Sequence, residues 1–206
     1  MKRFARVPAP DGWETDGLAA GRAWLGKNPH HPNKDRPYDL WSPYRDKLAV
    51  GFNDLCGYTL MYEPTGTVDH FIPWSQLRGT PDAWRAYDWD NFRYSVAWFN
   101  SSRRGPIPDP YRVEESWFVL QLPSLELLPT DAVPATERPA VDNVMRWLRN
   151  DLRVVKVRQM WYRLYRDGKL SLTGLEQMAP LIAAALRRQP EYLLPADRDR
   201  VSTREP

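Results

Sequence analysis

Cysteine is nearly absent from this chain, since Cys56 is the only one among its 206 residues. A single thiol cannot form an intramolecular disulfide, and it cannot supply the sulfur ligands of a cysteine-rich zinc site. Histidine is scarce as well, with three in the chain. Any site that requires an imidazole must therefore use His30, His31 or His70.

Long apolar runs are also missing. No stretch of the sequence approaches about eighteen consecutive apolar residues, so we expect no membrane-spanning helix. The first ten residues carry basic side chains without a following apolar run, which is not the pattern of a secretory signal. We therefore expect a cytoplasmic protein that does not associate with a membrane.

The overall charge is low. The net charge of +3 does not by itself indicate a nucleic-acid-binding protein. Hydrophobic residues make up 42% of the chain and aromatic residues 13%, which is too apolar for a disordered protein. Residues 137–188 contain eleven Lys and Arg against five Asp and Glu, so the positive charge is concentrated in this region.

The first half of the sequence predicts a mixture of helices and strands. Trp41, Tyr44, Leu48 and Phe52 recur at the spacing of one helical face. The expected elements are, in order, a short helix at 17–25, a helix at 38–55, strands at 56–62 and 66–72 around a turn at 63–66, a long loop at 74–90, a strand at 91–96 and a helix from 97 to 105.

The second half predicts a β-hairpin followed by helices. Two apolar runs, at 117–122 and 125–128, flank a Pro-Ser turn and are expected to pair. The expected helices span 140–150, 153–167 and 173–188, with Gly168 ending the second, Ser171 capping the third and Pro180 kinking or splitting it. The fold class predicted for the whole chain is α+β.

The residues that carry chemistry lie between positions 67 and 105. Asp69 and His70 are adjacent in the segment TVDHFIP, Asn91 lies in WDNF, and Asn100 lies in FNSSRRG. Hydrolysis of a phosphodiester requires a group that removes a proton from water, and His70 suits this task because the pKa of an imidazole is near neutral. Asp69 and Asn100 offer the oxygen ligands that a hard divalent cation prefers, and such a cation stabilises the leaving oxygen.

These three motifs, in this order, resemble the HNH, or ββα-metal, endonuclease family. The resemblance covers about residues 52–105. It matches the variant of the family whose three-residue motif ends in Asn instead of His. It implies a ββα-metal core in which His70 is the general base, Asp69 and Asn100 are ligands of Mg²⁺ or Mn²⁺, and Asn91 is the central Asn that holds the loop.

The resemblance departs from one feature of many relatives, a structural zinc held by two C-x-x-C pairs. Cys56 remains from the first pair, whereas Val96 and Phe99 stand where the second pair would fall. One thiol cannot hold a tetrahedral zinc. We therefore expect no structural zinc and, in its place, an apolar cluster of Cys56, Tyr58, Val96 and Phe99.

Arginines near the motif are candidates for nucleic-acid binding. Arg103 and Arg104 follow Asn100 and are expected to contact substrate phosphates, with Arg93 as a weaker candidate; the alternative is a solvated helix end. Further arginines in the C-terminal helices alternate with aromatic residues. They predict either a face that binds the nucleic-acid backbone or an amphipathic bundle whose exposed face meets a protein partner.

The expected function is that of a divalent-metal-dependent endonuclease that cuts DNA with low sequence specificity. Family members of this size often resemble effector nucleases of bacterial antiphage or restriction systems, so a protein partner such as an ATPase subunit is also expected. Two alternatives remain, a catalytically degenerate interaction subunit and an RNA nuclease. The expected segments are a loop-rich arm at 1–37, a nuclease domain with its following hairpin at 38–128, a linker at 129–139, a helical region at 140–188 and a flexible tail at 189–206.

Overall fold

The computed structural model describes residues 3–202, without the side chains of residue 150 and residues 199–202. It combines helices with two small antiparallel hairpins, so the predicted α+β class is confirmed. The chain divides into two compact units. We call Phe4–Gly57 together with Glu63–Arg103 the motif unit, and Tyr58–Tyr62 with Arg3 and the described residues after 103 the C-terminal unit. The predicted segment 38–128 contributes residues to both units.

The motif unit contains the three predicted motifs. Its helices and strands are, in order, α1 (Ala20–Lys27, after a π-helical turn at Glu14–Ala19), α2 (Arg45–Gly51), β1 (Thr67–His70), α3 (Trp74–Leu77), β2 (Phe92–Ser95) and α4 (Ala97–Ser102), with 3-10 turns at His31–Asn33, Ser42–Tyr44, Ala83–Tyr87 and Trp89–Asn91. β1 pairs antiparallel with β2, and His70 lies opposite Phe92. The order strand, strand, helix therefore occurs in this unit.

Two predictions for this half of the chain are wrong in part. Residues 56–62 form turns instead of the predicted strand, because Leu60 adopts a φ of 53° and the backbone cannot continue as an extended run there. The predicted helix at 38–55 is reduced to a 3-10 turn and α2, since Asn53 and Asp54 also adopt positive φ values of 53° and 54°. The hairpin that forms is therefore β1 with β2, on either side of the long connection.

The long connection between β1 and β2 has its own core, although it was predicted to be a loop. Its buried residues are Trp74, Leu77, Ala83, Ala86 and Tyr87. Helix α1 packs closely on this core, because a Cβ added to Gly21 would lie 2.1 Å from the ring of Tyr87. Apolar burial of this kind fixes the position of the turn at Ala83–Tyr87, which carries part of the candidate site.

The C-terminal unit agrees more closely with the sequence predictions. Strands β3 (Phe118–Gln121) and β4 (Glu126–Pro129) pair antiparallel, so the predicted hairpin is confirmed. The following helices are α5 (Arg138–Asn150), α6 (Leu152–Arg166), α7 (Leu172–Met178), α8 (Pro180–Arg188) and α9 (Pro195–Ser202). The Oγ of Ser171 accepts a hydrogen bond from the backbone N–H of Gly174 at 3.0 Å, and Gly168 adopts a φ of 67° after α6. Both predicted helix boundaries are therefore present, and Pro180 separates α7 from α8.

The segment predicted as a flexible tail contains α9 as far as the structure describes it. Asp197 on this helix is buried and accepts a hydrogen bond from the hydroxyl of Tyr165 at 3.0 Å. Residues 203–206 lie outside the described part of the chain. Within residues 3–202, we find no helix that has both the length and the apolar character needed to cross a membrane.

Candidate active site

Asp69 forms a buried ion pair with Arg103. The carboxylate Oδ1 of Asp69, on β1, accepts a hydrogen bond from Nε of Arg103 at 3.0 Å and lies 2.9 Å from its Nη2 as an ion-pair contact. The two side chains are only 2% and 6% exposed. Nη2 also donates to the backbone carbonyls of His70 and Phe71, so Arg103 joins the residue after α4 to the end of β1.

Asn91 holds the long connection with its side-chain amide. Oδ1 of Asn91 accepts from the N–H of Ile72 at 2.7 Å, and Nδ2 donates to the carbonyls of Ile72 at 3.1 Å and Arg85 at 3.0 Å. Asn91 is 4% exposed, so these bonds are made away from solvent. The amide thus ties the chain just beyond β1 to the turn at Ala83–Tyr87, as expected from its position in the sequence.

The same turn orients the ring of His70. Nε2 of His70 lies 2.9 Å from the carbonyl oxygen of Ala86. A carbonyl oxygen can only accept, so we assign the proton to Nε2, and the neutral ring then carries its lone pair on Nδ1. The ring also makes edge-on contacts with Trp41 and Phe92, at centroid distances of 4.4 and 5.1 Å. The imidazole is therefore fixed in both orientation and tautomer.

Burial lowers the pKa of His70 below its usual value of 6.5, because the charged ring is poorly solvated. The hydrogen bond to Ala86 and the negative charge of Asp69 act in the opposite direction, and the charge of Arg103 adds to the lowering. Asp69 and Arg103 are thus close enough to influence the ring electrostatically. A pKa below 6.5 keeps the imidazole neutral at pH 7, which is the form that can accept a proton.

Asn100 lies beside the strand residue that precedes Asp69. Its Nδ2 donates to the Oγ1 of Thr67 at 3.1 Å and to the carbonyl of Val68 at 3.0 Å. The sequence-based hypothesis places the side chains of Asp69, His70 and Asn100 around one cation. In the structure, the three polar groups are neighbours along β1 and α4, but each is hydrogen-bonded to a different partner.

The predicted phosphate-binding arginines differ in exposure. Arg93 is 2% exposed, donates through Nη1 to the carbonyls of Asp90 and Phe92, and lies 5.0 Å from the ring centroid of Phe71. Arg103 is buried against Asp69, as described above. These two guanidiniums therefore point into the protein in this conformation, whereas Arg104 is exposed.

Cys56 was predicted to lie in an apolar cluster with Tyr58, Val96 and Phe99. This residue is fully buried, and its sulfur accepts a hydrogen bond from the backbone N–H of Val96 at 3.4 Å. Phe99 is also fully buried in the motif unit. Tyr58 is buried too, but it belongs to the C-terminal unit.

The oxygen donors at this site suit a hard divalent cation. Asp69 contributes a carboxylate and Asn100 a carboxamide, which are the ligand types that Mg²⁺ and Mn²⁺ prefer. Residues 3–202, as far as they are described, contain no group of three His, Cys, Asp or Glu side chains that could hold a metal ion. A cation at Asp69 would therefore keep most of its coordination positions for water or substrate, and it would meet the guanidinium of Arg103 at Oδ1.

The C-terminal unit presents basic residues on α5 and α6. Arg146, Arg149, Arg153, Lys156, Arg163 and Arg166 are exposed. The interleaved aromatic residues Trp147, Trp161, Tyr162 and Tyr165 are buried or partly buried. Arg149 pairs with Glu126 and Arg153 with Asp151, so part of this positive charge is already compensated. The arrangement agrees with an amphipathic bundle whose basic face remains accessible.

Sequence reasoning missed several parts of the site. The role of Ala86 could not be predicted from its residue type, because it acts through its backbone carbonyl and every residue has such an acceptor. Trp41 was predicted to lie on a helix face, and its contact with His70 was not foreseen. Arg103 was expected to contact substrate phosphates, whereas its guanidinium pairs with Asp69. The helix predicted from 97 to 105 ends at Ser102.

No family model matches the chain, no curated protein matches it, and no solved structure matches its fold. The resemblance to the HNH family therefore depends on the three short motifs and not on a wider similarity. Any function has to be argued from the contacts of the site itself.

Proposed function

We propose that the protein is an HNH-type endonuclease that requires Mg²⁺ or Mn²⁺ and hydrolyses phosphodiester bonds in DNA. The observation that carries this proposal is the fixed imidazole of His70, whose Nε2–H donates to Ala86 and whose Nδ1 is left as the proton acceptor. The order β1, β2, α4 and the three bonds of Asn91 support a ββα-metal core.

Each residue of the candidate site has one task in this proposal. Nδ1 of His70 takes a proton from the attacking water, and Asn91 keeps the turn that orients the ring in place. Asp69 and Asn100 would hold the cation with their side-chain oxygens. When bound, the ion supplies Lewis-acid stabilisation of the charge that develops on the leaving oxygen. Within the C-terminal unit, the exposed Arg104 and the basic face of α5 and α6 would attract a nucleic-acid backbone.

The proposal is tested with purified full-length protein, supercoiled plasmid and Mn²⁺. We expect the wild-type protein to nick the plasmid, chelation of the ion with EDTA to stop nicking, and His70→Ala to abolish it. His30→Ala is the matched control, because His30 is an exposed histidine of the same unit, and it should nick as the wild type does. Equal nicking by His70→Ala and the wild type would overturn the proposal.

A second candidate function is favoured by the ion pair between Asp69 and Arg103. A carboxylate that already has a buried cationic partner could belong to a degenerate site, in a subunit that uses the fold to dock. Absence of nicking with Mg²⁺, Mn²⁺, Co²⁺ and Ni²⁺ would favour this candidate. Competition between labelled RNA and DNA then separates an RNA nuclease from a DNA nuclease.

A further inference from the structure

We propose that the exposed ring of Tyr38 is a stacking platform for an unpaired nucleotide, and that the preferred substrate is therefore DNA with single-stranded segments. This inference deepens the proposed function and rests on it, because it names the form of the nucleic acid that the same unit would cut. Three observations support it: the exposure of the ring, the positive charge around it and its connection to His70.

Tyr38 exposes an aromatic surface that the protein covers only in part. The residue is 56% exposed. Its ring lies nearly parallel to that of Trp24, with a centroid distance of 6.4 Å and an angle of 19° between the planes. A nucleobase can extend such a stack, because every base has a flat π-face and covering the ring removes apolar surface from water.

The segment that carries this ring is fixed at both ends. The carbonyl of Lys34 accepts hydrogen bonds from Nε1 of Trp74 at 2.8 Å and from Nη1 of Arg78 at 3.2 Å. Oδ1 of Asp39 accepts from the backbone N–H of Ser42 at 3.0 Å. A ring held on an anchored segment loses little conformational freedom when a base stacks on it.

The surroundings of the platform are positively charged. Residues 22–38 contain four Lys and Arg against one Asp, and all five are exposed: Arg22, Lys27, Lys34, Arg36 and Asp35. Arg36 and Tyr38 are exposed on either side of the buried Pro37, so they point outward from the same side of the chain. Exposed cations beside an aromatic ring are the combination that binds single-stranded nucleic acid, with phosphates on the cations and a base on the ring.

A row of aromatic rings connects the platform to the candidate site. The ring of Tyr87 lies 6.4 Å from that of Trp24 and 6.2 Å from that of Trp41. Trp41 in turn makes the edge-on contact with His70 at 4.4 Å. The negative charge of Asp39, the residue after the platform, raises the pKa of His70, so this segment lies near the imidazole. A nucleotide on the platform would thus bring its strand to the side of the motif unit that holds the candidate base.

The inference is tested by the binding of a fluorescein-labelled oligothymidylate of about ten nucleotides to the full chain, followed by fluorescence anisotropy in EDTA. EDTA prevents cleavage, so the assay measures binding alone. Tyr38→Ala should weaken binding by about tenfold, because it removes the stacked base contact. Tyr38→Phe keeps the ring and should stay within about twofold of the wild type.

Two further probes separate stacking from charge. An abasic strand of the same length has the phosphates without the bases, and a duplex keeps its bases stacked on one another. Tyr38→Ala should therefore change the affinity for either probe by less than about twofold. Arg36→Gln should weaken the binding of all three probes, because it removes a positive charge that attracts any backbone. Equal losses for Tyr38→Ala on the abasic strand and on the oligothymidylate would overturn the inference.

Tyr62→Ala is the matched control. Tyr62 is a 38% exposed tyrosine that belongs to the C-terminal unit, so its replacement should leave the affinity for the oligothymidylate at the wild-type value. An affinity of Tyr38→Ala equal to that of Tyr62→Ala would overturn the inference. Absence of oligothymidylate binding by the wild type would overturn it as well.

The two proposals fail in different ways. Nicking that depends on His70, together with oligothymidylate binding that does not depend on Tyr38, would overturn the platform and leave the endonuclease in place. Binding that depends on the ring of Tyr38, together with no nicking under any ion, would confirm the platform and count against the endonuclease.

Discussion

The side-chain amide of Asn91 is hydrogen-bonded to both backbone groups of Ile72. It accepts from the N–H at 2.7 Å and donates to the carbonyl at 3.1 Å. Such a paired contact fixes the direction of the chain where it leaves β1. The second donor bond of Asn91, to Arg85, transmits this constraint to the turn that holds His70. One amide therefore organises the connection on which the candidate base depends.

Replacement of Asn91 should be strongly destabilising. Asn91→Ala removes three buried hydrogen bonds and leaves backbone groups of Ile72 and Arg85 without a partner, so we expect a loss of about 3 kcal/mol in the free energy of unfolding. Urea unfolding measures this loss, and hydrogen exchange at the N–H of Ile72 locates it. Asn33→Ala, at an exposed turn, should change stability by less than about 0.5 kcal/mol. Unchanged protection of Ile72 in Asn91→Ala would contradict the assignment.

The sequence predicted those features of the fold that depend on local patterns. The hairpin of β3 and β4 follows from two apolar runs around a turn, and the boundaries at Gly168 and Ser171 follow from glycine and capping preferences. The strand predicted at 56–62 was wrong because the positive φ of Leu60 depends on tertiary packing and has no signal in an apolar run.

The candidate site was predictable in its residue types and less so in its contacts. The bonds of Asn91 to loop backbone were expected, since an Asn at a turn commonly makes them. The inward direction of Arg103 was not expected, because it depends on a contact with Asp69, which lies 34 residues earlier in the chain and has no local signal in the sequence. Arg103, which was expected to contact substrate phosphates, is the buried partner of Asp69.

The lowered pKa of His70 predicts how stability changes with pH. The native state binds the imidazole proton less readily than the unfolded state, whose pKa is near 6.5. The contribution of the neutral ring is therefore fully present above pH 6.5 and is lost as the pH falls through 6.5 toward the native pKa. The loss should approach about 1.4 kcal/mol per pH unit in that interval.

The measurement is the difference in unfolding free energy between the wild type and His70→Gln, taken in metal-free buffer between pH 8 and pH 5. Subtraction removes the pH dependence that the two proteins share. The wild type should lose stability relative to the variant as the pH falls. A wild type that gains relative stability at low pH would show that the native pKa is raised.

The close approach of α1 to Tyr87 predicts opposite effects of the same substitution at two glycines. A Cβ at Gly21 would meet the fully buried ring of Tyr87 at 2.1 Å, so Gly21→Ala should destabilise the protein by about 2 kcal/mol. A Cβ at Gly26 meets nothing within 4 Å, and Gly26→Ala should be neutral or stabilising by up to about 1 kcal/mol. Thermal unfolding compares the two, and similar melting temperatures would contradict the packing of α1 on this turn.

Arg158 on α6 is a buried cation whose contacts are incomplete. Its Nη1 donates to the carbonyl of Leu148 at 2.7 Å, but Nε and Nη2 have no hydrogen-bond partner in the described part of the chain. Burial alone lowers the pKa of this guanidinium to about 10. Two unsatisfied donors and a poorly solvated charge both disfavour the folded state.

Arg158→Met should therefore stabilise the protein, because methionine keeps the apolar stem and removes the charged group. We expect a gain of about 1–2 kcal/mol in the free energy of unfolding, reduced by the loss of the one bond to Leu148. Arg163→Met makes the same change at an exposed position of the same helix and should alter stability by less than about 0.5 kcal/mol. Urea unfolding of the three proteins decides the question. A loss of more than about 1 kcal/mol in Arg158→Met alone would mean that the guanidinium stabilises the fold, and the unpaired donors would then need another explanation.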